Sequence, residues 1–269
     1  MFRSYDTKGH PPTEFYKLHY QLEKEFWYFL YKRDLVKEFI ERVRLPKRFR
    51  GDILDIGCGT GSILQMLDGL GVSFGVDNNL SALHFCAKRG LTRLIAADVM
   101  GRIPFREERF DIVCALDLLE HLSLEGEEKC LDDIYRILKK DSYLILTLPA
   151  FGLLWSEHDL AAGHKRRYKK KELIKRLAFA GFTVERCTYF NCFLFPPVLL
   201  FRKFIRKLWS FKKNKKELYL DFDFHFPSLF TDVLFPAVSR IEKMALEYFD
   251  LPFGVSLICI CRKGGRQRI

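Results

Sequence analysis

A glycine-rich turn follows a short apolar run in the first third of the chain. Residues 53–56 read Ile-Leu-Asp-Ile, and Gly57, Cys58, Gly59 and Gly61 lie in the turn that follows. Glycine lets the backbone pass close to a ligand, and the helix that comes next directs free N–H groups at the same point. A dinucleotide site prefers Gly-x-Gly-x-x-Gly, whereas the third glycine here comes one residue early. The turn therefore predicts a nucleotide-like ligand other than a dinucleotide.

Asp55 indicates which nucleotide-like ligand the turn binds. The residue lies inside the apolar run just before the glycines. A carboxylate at that position would repel a pyrophosphate, but it is favourable beside the ammonium group of a methionyl chain. We therefore predict S-adenosylmethionine as the cofactor and S-adenosylhomocysteine as the product.

Two further acids end apolar runs at regular spacing. Asp77 ends the run 72–77 and lies 20 residues after Gly57, the distance at which a βαβ unit brings a carboxylate to ribose hydroxyls. Asp98 follows the next apolar run in the same way. Together with Asp55, these acids predict one binding crevice at the carboxyl edge of a sheet.

The segment from about Gly51 to Pro149 resembles the class I S-adenosylmethionine-dependent methyltransferases, motif after motif in the same order. The resemblance implies that Asp98 accepts a hydrogen bond from the adenine amino group and that Val99 offers its backbone N–H to the ring. We add Asn78 and Leu116 to the predicted cofactor site. Trp27 joins it because the resemblance implies an N-terminal helix over the cofactor.

The alternation of helix and strand patterns predicts an α/β fold with a doubly wound, Rossmann-like, mainly parallel sheet. The resemblance implies seven strands with an antiparallel last strand, plus an N-terminal helix and a helical insertion before the last strand. The predicted strands are 53–56, 72–76, 93–97, 110–115, 142–148, 182–190 and 255–261. The predicted domains are an N-terminal helical lid (1–45), a cofactor-binding domain (46–190 and 254–264) and a basic, amphipathic helical cap (191–253).

Composition limits the class of protein. The chain has 269 residues, 48% of them hydrophobic, which suits one α/β unit with accessory helices. Its eight cysteines include no Cys-x-x-Cys pair, so we expect reduced core thiols and no metal site. The N-terminus has no signal-peptide pattern, and the longest apolar run, residues 192–201, is too short to span a bilayer. We therefore expect a cytoplasmic protein.

Positive charge is concentrated in one part of the chain. The net charge is +11, yet residues 165–216 hold 17 basic and two acidic residues. Such a field attracts an anionic membrane surface or a nucleic acid. An apolar stripe opposite a cationic face favours a lipid interface, and an ordinary surface helix packed on the domain is an equal alternative. The stripe comprises Val198, Phe201, Phe204, Ile205, Leu208 and Phe211, and the cationic face Arg202, Lys203, Arg206 and Lys207.

A polar loop after the fifth predicted strand is the expected acceptor site. Its Trp-x-x-His-Asp and Gly-His-x-Arg-Arg-Tyr patterns resemble a group of bacterial and archaeal methyltransferases of lipid, quinone and polysaccharide pathways. We predict that Trp155, Asp159, Arg167 and Tyr168 bind the acceptor. In the alternative, Arg167 and Tyr168 anchor the loop and Asp159 pairs with a histidine. His121, His158 and His164 are the candidates for a general base, because an unperturbed imidazole titrates near neutrality.

The sequence is compatible with three functions. The first is methyl transfer to a small-molecule or lipid-linked acceptor, with peripheral contact to a membrane surface. The second is a tRNA or rRNA methyltransferase; against it, the aromatics follow an apolar stripe and do not alternate with the cations as stacking platforms would. The third is a non-catalytic protein that binds S-adenosylmethionine.

Overall fold

Two N-terminal helices precede the sheet in the computed structural model, which describes residues 13–43, 51–200, 202–203 and 229–265. Helix α1 spans Thr13–Glu25 and α2 spans Trp27–Arg42. The hydrophobic periodicity predicts one helix over this stretch, but the backbone of Phe26 is extended, with φ −77° and ψ 124°. The break lets the two helices take different directions, and none of the α1 side chains is fully buried.

Seven strands form one sheet in the order β3-β2-β1-β4-β5-β7-β6. Strand β7 is antiparallel to β5 and to β6, whereas the pairs from β3 through β5 are parallel. The predicted seven-stranded sheet with an antiparallel last strand is therefore confirmed. The strands are β1 Asp52–Ile56, β2 Val72–Asp77, β3 Leu94–Ala96, β4 Phe110–Leu116, β5 Leu138–Pro149, β6 Phe182–Phe190 and β7 Ser256–Lys263.

Helices alternate with these strands along the chain. They are α3 Ser62–Asp68, α4 Leu80–Lys88, α5 Leu124–Ile137, α6 Glu157–Ala161, α7 Lys170–Phe179, α8 Phe195–Leu200 and α9 Phe235–Tyr248. Short 3₁₀ turns cover Leu119–His121 and Gly152–Leu154, and a π-helical turn, Leu229–Leu234, leads into α9.

The core lies on both faces of the sheet. On one face, α5 and α7 pack their apolar sides against strand residues such as Leu54 and Ile56. On the other face, α2 and α9 pack against strand residues such as Ile53 and Ile112. Because side chains alternate along a strand, neighbouring residues of β1 serve opposite cores. This arrangement fixes α2 firmly and leaves the carboxyl ends of the parallel strands available for a site.

The described part of the predicted cap is helical, comprising α8, the π-helical turn and α9. Most of the predicted amphipathic stripe, Phe201 and Phe204 through Phe211, lies outside the described residues, whereas Val198 is buried against the domain. Among the helices of the described ranges, none combines the length and apolar character that crossing a membrane requires. The domain boundaries stay a prediction.

Candidate active site

The glycine turn adopts a backbone that L-residues with side chains rarely take. Gly57, Gly59 and Gly61 have φ of 72°, 53° and 83°. A Cβ on Gly61 would lie 2.8 Å from Cys86 Sγ, and one on Gly57 would lie 3.0 Å from Leu118 Cδ1. A Cβ on Gly59 would meet nothing within 4 Å. Gly61 is thus required for packing and Gly57 is favoured by its positive φ, whereas the Gly59 backbone borders open space that a ligand can approach.

Asp77 fastens the glycine turn to β2. Its Oδ2 accepts a hydrogen bond from Gly59 N at 2.9 Å, and its Oδ1 accepts one from Asn79 N at 2.8 Å. A carboxylate can accept several hydrogen bonds, so Asp77 also suits ribose hydroxyls. Asn78, also predicted at the cofactor site, is exposed beside it.

The other predicted cofactor residues lie along the same edge of the sheet. Asp98 follows β3, is exposed, and accepts a hydrogen bond from Met100 N at 2.9 Å. Val99 beside it is buried, and so is Leu116 at the end of β4. Because β3, β2, β1 and β4 are neighbours in the sheet, these residues share an edge with Asp77 and the glycine turn. The edge suits an adenosyl group lying across three strand ends.

Asp55 is buried in this edge, with 2% of its surface exposed. Burial raises the pKa of Asp55 to about 8, although the nearby ammonium of Lys32 lowers it. Lys32 comes from α2 and hydrogen-bonds Asp117 Oδ2, while Thr147 donates to Asp117 Oδ1 at 2.8 Å. Burial disfavours the charged lysine, but Asp117 raises the pKa of Lys32 above its usual value. The ammonium group of Lys32 thus lies near three carboxyl groups, those of Asp55, Asp117 and Glu120.

Lys32 was not among the sequence candidates. It lies four residues before Val36, a core residue of α2, and therefore on the apolar face of that helix. A lysine on an apolar helix face indicates a buried, paired charge, so this position could have been identified from the sequence. Asp117 has φ 50°, in the left-handed region that aspartate tolerates better than most side chains. The turn at Asp117 brings its carboxylate toward Lys32.

Helix α1 lies over the glycine turn through one glutamate. The hydroxyl of Thr60 donates to Glu23 Oε2, and Arg89 NH2 donates to the same oxygen at 2.7 Å. Arg89 Nε also donates to Thr60 O at 2.8 Å, and its guanidinium lies 4.5 Å from the Tyr20 ring centroid. Burial raises the pKa of Glu23. Glu23 was not predicted from the sequence, because acids on amphipathic helices are usually solvated.

Trp27 lies farther along, where α2 meets the cap. Its ring centroid is 5.0 Å from that of Phe235 and 5.9 Å from that of Phe193. The indole is buried, and its Nε1 has no hydrogen-bond partner among the described residues. The structure thus places Trp27 in an aromatic cluster with the cap, and its role in cofactor binding stays a prediction.

The three predicted catalytic histidines lie together. The ring centroid of His164 is 5.0 Å from that of His121 and 6.3 Å from that of His158. Burial lowers the pKa of His121 to about 4, so this ring is neutral at physiological pH. His19 of α1 joins the group, and burial, followed by the nearby His158, lowers its pKa to about 4 as well. Neither of these two rings is therefore charged near neutrality.

The predicted acceptor-binding residues mostly bind the protein itself. Asp159 is fully buried and accepts from Arg167 Nε at 2.7 Å and from Ser156 N at 2.8 Å. Tyr168 is buried, and its hydroxyl donates to Glu127 Oε2 at 2.9 Å. These contacts are those of the alternative in which the loop is anchored. Trp155 is 37% exposed and remains available to a ligand.

Arg202 departs from the sequence prediction. The helical pattern placed it on an outer cationic face, but its NH1 donates to Leu154 O and lies 3.8 Å from Asp159 Oδ2. Its side chain is 8% exposed. An arginine can bury its apolar stem while the guanidinium group forms hydrogen bonds with carbonyl and carboxylate oxygens. In Arg202 these interactions compensate for the hydration that the guanidinium group loses. The outer-face prediction is therefore wrong for Arg202.

The residues at the sheet edge fit S-adenosylmethionine. Open space beside Gly59 leaves room for the ligand, and Asp77 and Asp98 would hold the ribose and the adenine. Asp55 would face the methionyl ammonium, where a buried carboxylate gains from a cation. The cofactor would supply an electrophilic methyl group on a sulfonium, and the chain would position it.

Comparison with known proteins identifies a methyltransferase domain in the chain. Residues 54–146 match the family model described as a methyltransferase domain. A tRNA (carboxymethyluridine(34)-5-O)-methyltransferase of Arabidopsis thaliana is 32% identical over 100 residues, which are 36% of this chain and 23% of that enzyme. An uncharacterized protein of Methanocaldococcus jannaschii is 28% identical over 175 residues, 61% of this chain and 73% of the relative. The chain thus spans about a quarter of the length of the plant enzyme.

Solved structures share the fold. One is the methyltransferase chain in the complex with the Haloferax volcanii Trm112 methyltransferase activator, with a TM-score of 0.60, 16% identity and coverage of 95% of this chain and 97% of that one. Another is a SAM-dependent methyltransferase from Archaeoglobus fulgidus, with a TM-score of 0.57, 20% identity and coverage of 92% and 99%. Residues 54–146 thus match a methyltransferase domain, and the chain has the fold of S-adenosylmethionine-dependent methyltransferases.

Proposed function

We propose that the chain transfers a methyl group from S-adenosylmethionine to a small-molecule or lipid-linked acceptor bound between the glycine turn and the histidine group. The observation that carries this proposal is the cover formed by the N-terminal helices. Glu23 of α1 and Lys32 of α2 reach the sheet edge, where both are largely shielded from water. A site covered in this way favours an acceptor small or thin enough to enter beneath two helices.

The protein's part in the reaction is positioning and proton removal. The N–H groups and carboxylates of the edge hold the cofactor, so the acceptor atom has to be aligned with the methyl group. His158 of the histidine group supplies an imidazole that can accept a proton from an acceptor hydroxyl or amine. Lys32 balances the acids around it and limits their mutual repulsion.

The lipid-linked form of the acceptor rests on charge. Residues 165–216 carry the excess of basic side chains. Within this segment, Lys171 and Lys175 of α7 are exposed to solvent. An anionic membrane surface would hold such a segment electrostatically. We expect the protein to sediment with vesicles containing phosphatidylserine and to be released by salt. Neutral phosphatidylcholine vesicles are the control, and equal sedimentation with both would contradict this part of the proposal.

A tRNA acceptor is the second candidate, because the Arabidopsis relative, 32% identical over 100 residues, acts on tRNA. The Haloferax chain of the same fold was solved with the Trm112 activator, so a Trm112-type protein is the partner to test with RNA. The third candidate, a binder without activity, predicts cofactor binding and no methyl transfer. All three share the cofactor site, and they differ in the acceptor.

One screen separates the candidates. The full chain would be incubated with tritium-methyl S-adenosylmethionine and with lipid, quinone or tRNA extracts, the tRNA with and without Trm112. We expect label in a lipid or quinone fraction. Label in tRNA alone would replace the proposal with the second candidate, and no label despite binding of S-adenosylhomocysteine would support the third.

The ribose assignment has its own test. In calorimetry, Asp77→Ala is expected to lower the affinity for S-adenosylhomocysteine at least about tenfold, because both oxygens of a charged acceptor are lost. Free adenine, which has no ribose, should bind the variant and the wild type alike. Equal loss of both ligands would mean that the glycine turn had collapsed, and unchanged affinity for S-adenosylhomocysteine would contradict the assignment.

A further inference from the structure

Three side chains of metal-binding types lie close together beside the predicted cofactor site. Glu120 and His121 belong to the turn Leu119–His121, and His164 lies in the loop before α7. One ligand atom from each residue lies within 4.8 Å of the others. Lys165 N donates to Glu120 O at 2.7 Å, so the turn and the loop are joined by their backbones. The grouping is therefore built into the fold.

Glu120 is the unusual member of this group. It is fully buried, and neither carboxylate oxygen has a hydrogen-bond partner in the part of the chain that the structure describes. The two nearby aspartates are matched with cations, Asp117 with Lys32 and Asp159 with Arg167. An ionised carboxylate buried without a partner is costly. Glu120 therefore requires a proton or a bound cation.

Both histidines are held as metal ligands usually are. His164 Nδ1 lies 3.0 Å from Asp159 Oδ1, which leaves Nε2 to carry the lone pair when Nδ1 donates. His121 Nδ1 lies beside Gly163, 3.8 Å from the position that a Cβ on this glycine would take, which leaves Nε2 for a ligand. Metal-binding histidines almost always donate their second nitrogen to a carboxylate or a carbonyl. Neighbouring groups thus orient both rings.

We propose that Glu120, His121 and His164 bind one divalent transition-metal ion through two imidazole nitrogens and one carboxylate oxygen. This ligand set suits Zn²⁺ and Fe²⁺. Tetrahedral ligands 2.0–2.1 Å from zinc lie about 3.4 Å apart, so atoms now up to 4.8 Å apart would approach by about 1.4 Å at most. The site goes beyond methyl transfer and does not depend on it. The proposal departs from the sequence prediction of no metal site, which was based on the absence of a Cys-x-x-Cys pair.

Calorimetry on the full chain tests the proposal. Protein freed of metal with a chelator would be titrated with Zn²⁺, as wild type, Glu120→Gln and His121→Gln. We expect one equivalent to bind the wild type and both variants to bind at least about 100-fold more weakly, because a direct ligand is lost. Glu125→Gln and His84→Gln change exposed residues of the same types and should bind like the wild type.

Co²⁺ gives a second readout that is independent of enzyme activity. The wild type should show the visible absorption bands of a four- or five-coordinate Co²⁺ site. The Glu120→Gln variant should lack these bands, and its circular dichroism spectrum should match that of the wild type, as expected of a folded protein. If Glu120→Gln fails to fold, His121→Gln takes its place. The proposal is overturned if the wild type binds no stoichiometric Zn²⁺ or Co²⁺, or if the ligand variants bind as the exposed controls do.

Discussion

Cofactor affinity should rise with pH because of one buried carboxyl group. Burial raises the pKa of Asp55 to about 8 in the free protein. The methionyl ammonium and the sulfonium of S-adenosylmethionine favour the ionised carboxylate, and a cation within about 4–6 Å lowers a carboxyl pKa by about 1–3. A shift of about 2 gives Asp55 a pKa of about 6 in the complex, so that binding of the cofactor near neutrality releases a proton from this carboxyl group.

The magnitude follows from the two pKa values. At pH 6 about 99% of free Asp55 is protonated, and at pH 8 about half is. With a bound pKa of about 6, the affinity increases about 25-fold between pH 6 and pH 8, or about 1.9 kcal/mol. The sign is set by the ligand: binding favours the form without the proton, so affinity is lost as pH falls below the free pKa.

Calorimetry from pH 6 to pH 8 measures this dependence directly. Adenosine, which lacks the methionyl cation, is the matched ligand and should bind almost independently of pH. Asp55→Asn is the matched protein, in which an amide of the same shape cannot titrate, and it should give a flat profile at the low affinity. The reasoning is refuted if the wild-type profile is flat, if adenosine follows the same slope, or if Asp55→Asn retains it.

Four other substitutions test the site and the fold. Lys32→Met should move the midpoint of the same pH profile above 8, because Lys32 is the main group that lowers the pKa of Asp55; an unmoved midpoint would contradict this contact. Gly61→Ala should destabilise the protein by about 2–4 kcal/mol in urea unfolding, because it adds both strain at φ 83° and a clash. Gly59→Ala should cost only about 1 kcal/mol and yet weaken cofactor binding at least about tenfold, so equal stability losses for the two glycines would oppose the open-space argument. Glu127→Gln should destabilise by about 3 kcal/mol, since the buried Glu127 carboxylate accepts hydrogen bonds from an arginine and a tyrosine; a change below about 0.5 kcal/mol in urea unfolding would contradict that role.

The strands and the glycine turn were predictable because their signals are local. An apolar run ending in an acid and glycines, such as Leu54 to Gly61, is recognisable in any sequence context, and the seven strands with an antiparallel last strand followed from the resemblance. The break at Phe26 was not predictable in this way. No glycine or proline marks it, and it arises because α1 lies on the glycine turn while α2 packs on the sheet.

The site was predictable in its residue types and less so in their partners. The three histidines were found from the sequence, and the structure brings them together. Nothing local showed that Asp159 would be saturated by protein donors or that Glu120 would be fully buried without a partner. An acid near the start of a helix is normally solvated, so its burial depends on the loop that folds over it.

The contrast between the two N-terminal helices has a consequence for exchange with solvent. Helix α1 has no fully buried side chain, whereas α2 contributes six residues to the buried core, so detaching α1 costs far less than global unfolding. We expect the amide hydrogens of α1 to exchange with deuterium by a subglobal opening and those of α2 only by the global one. Since Glu23 anchors α1 on the glycine turn, a bound ligand should slow exchange in α1 selectively.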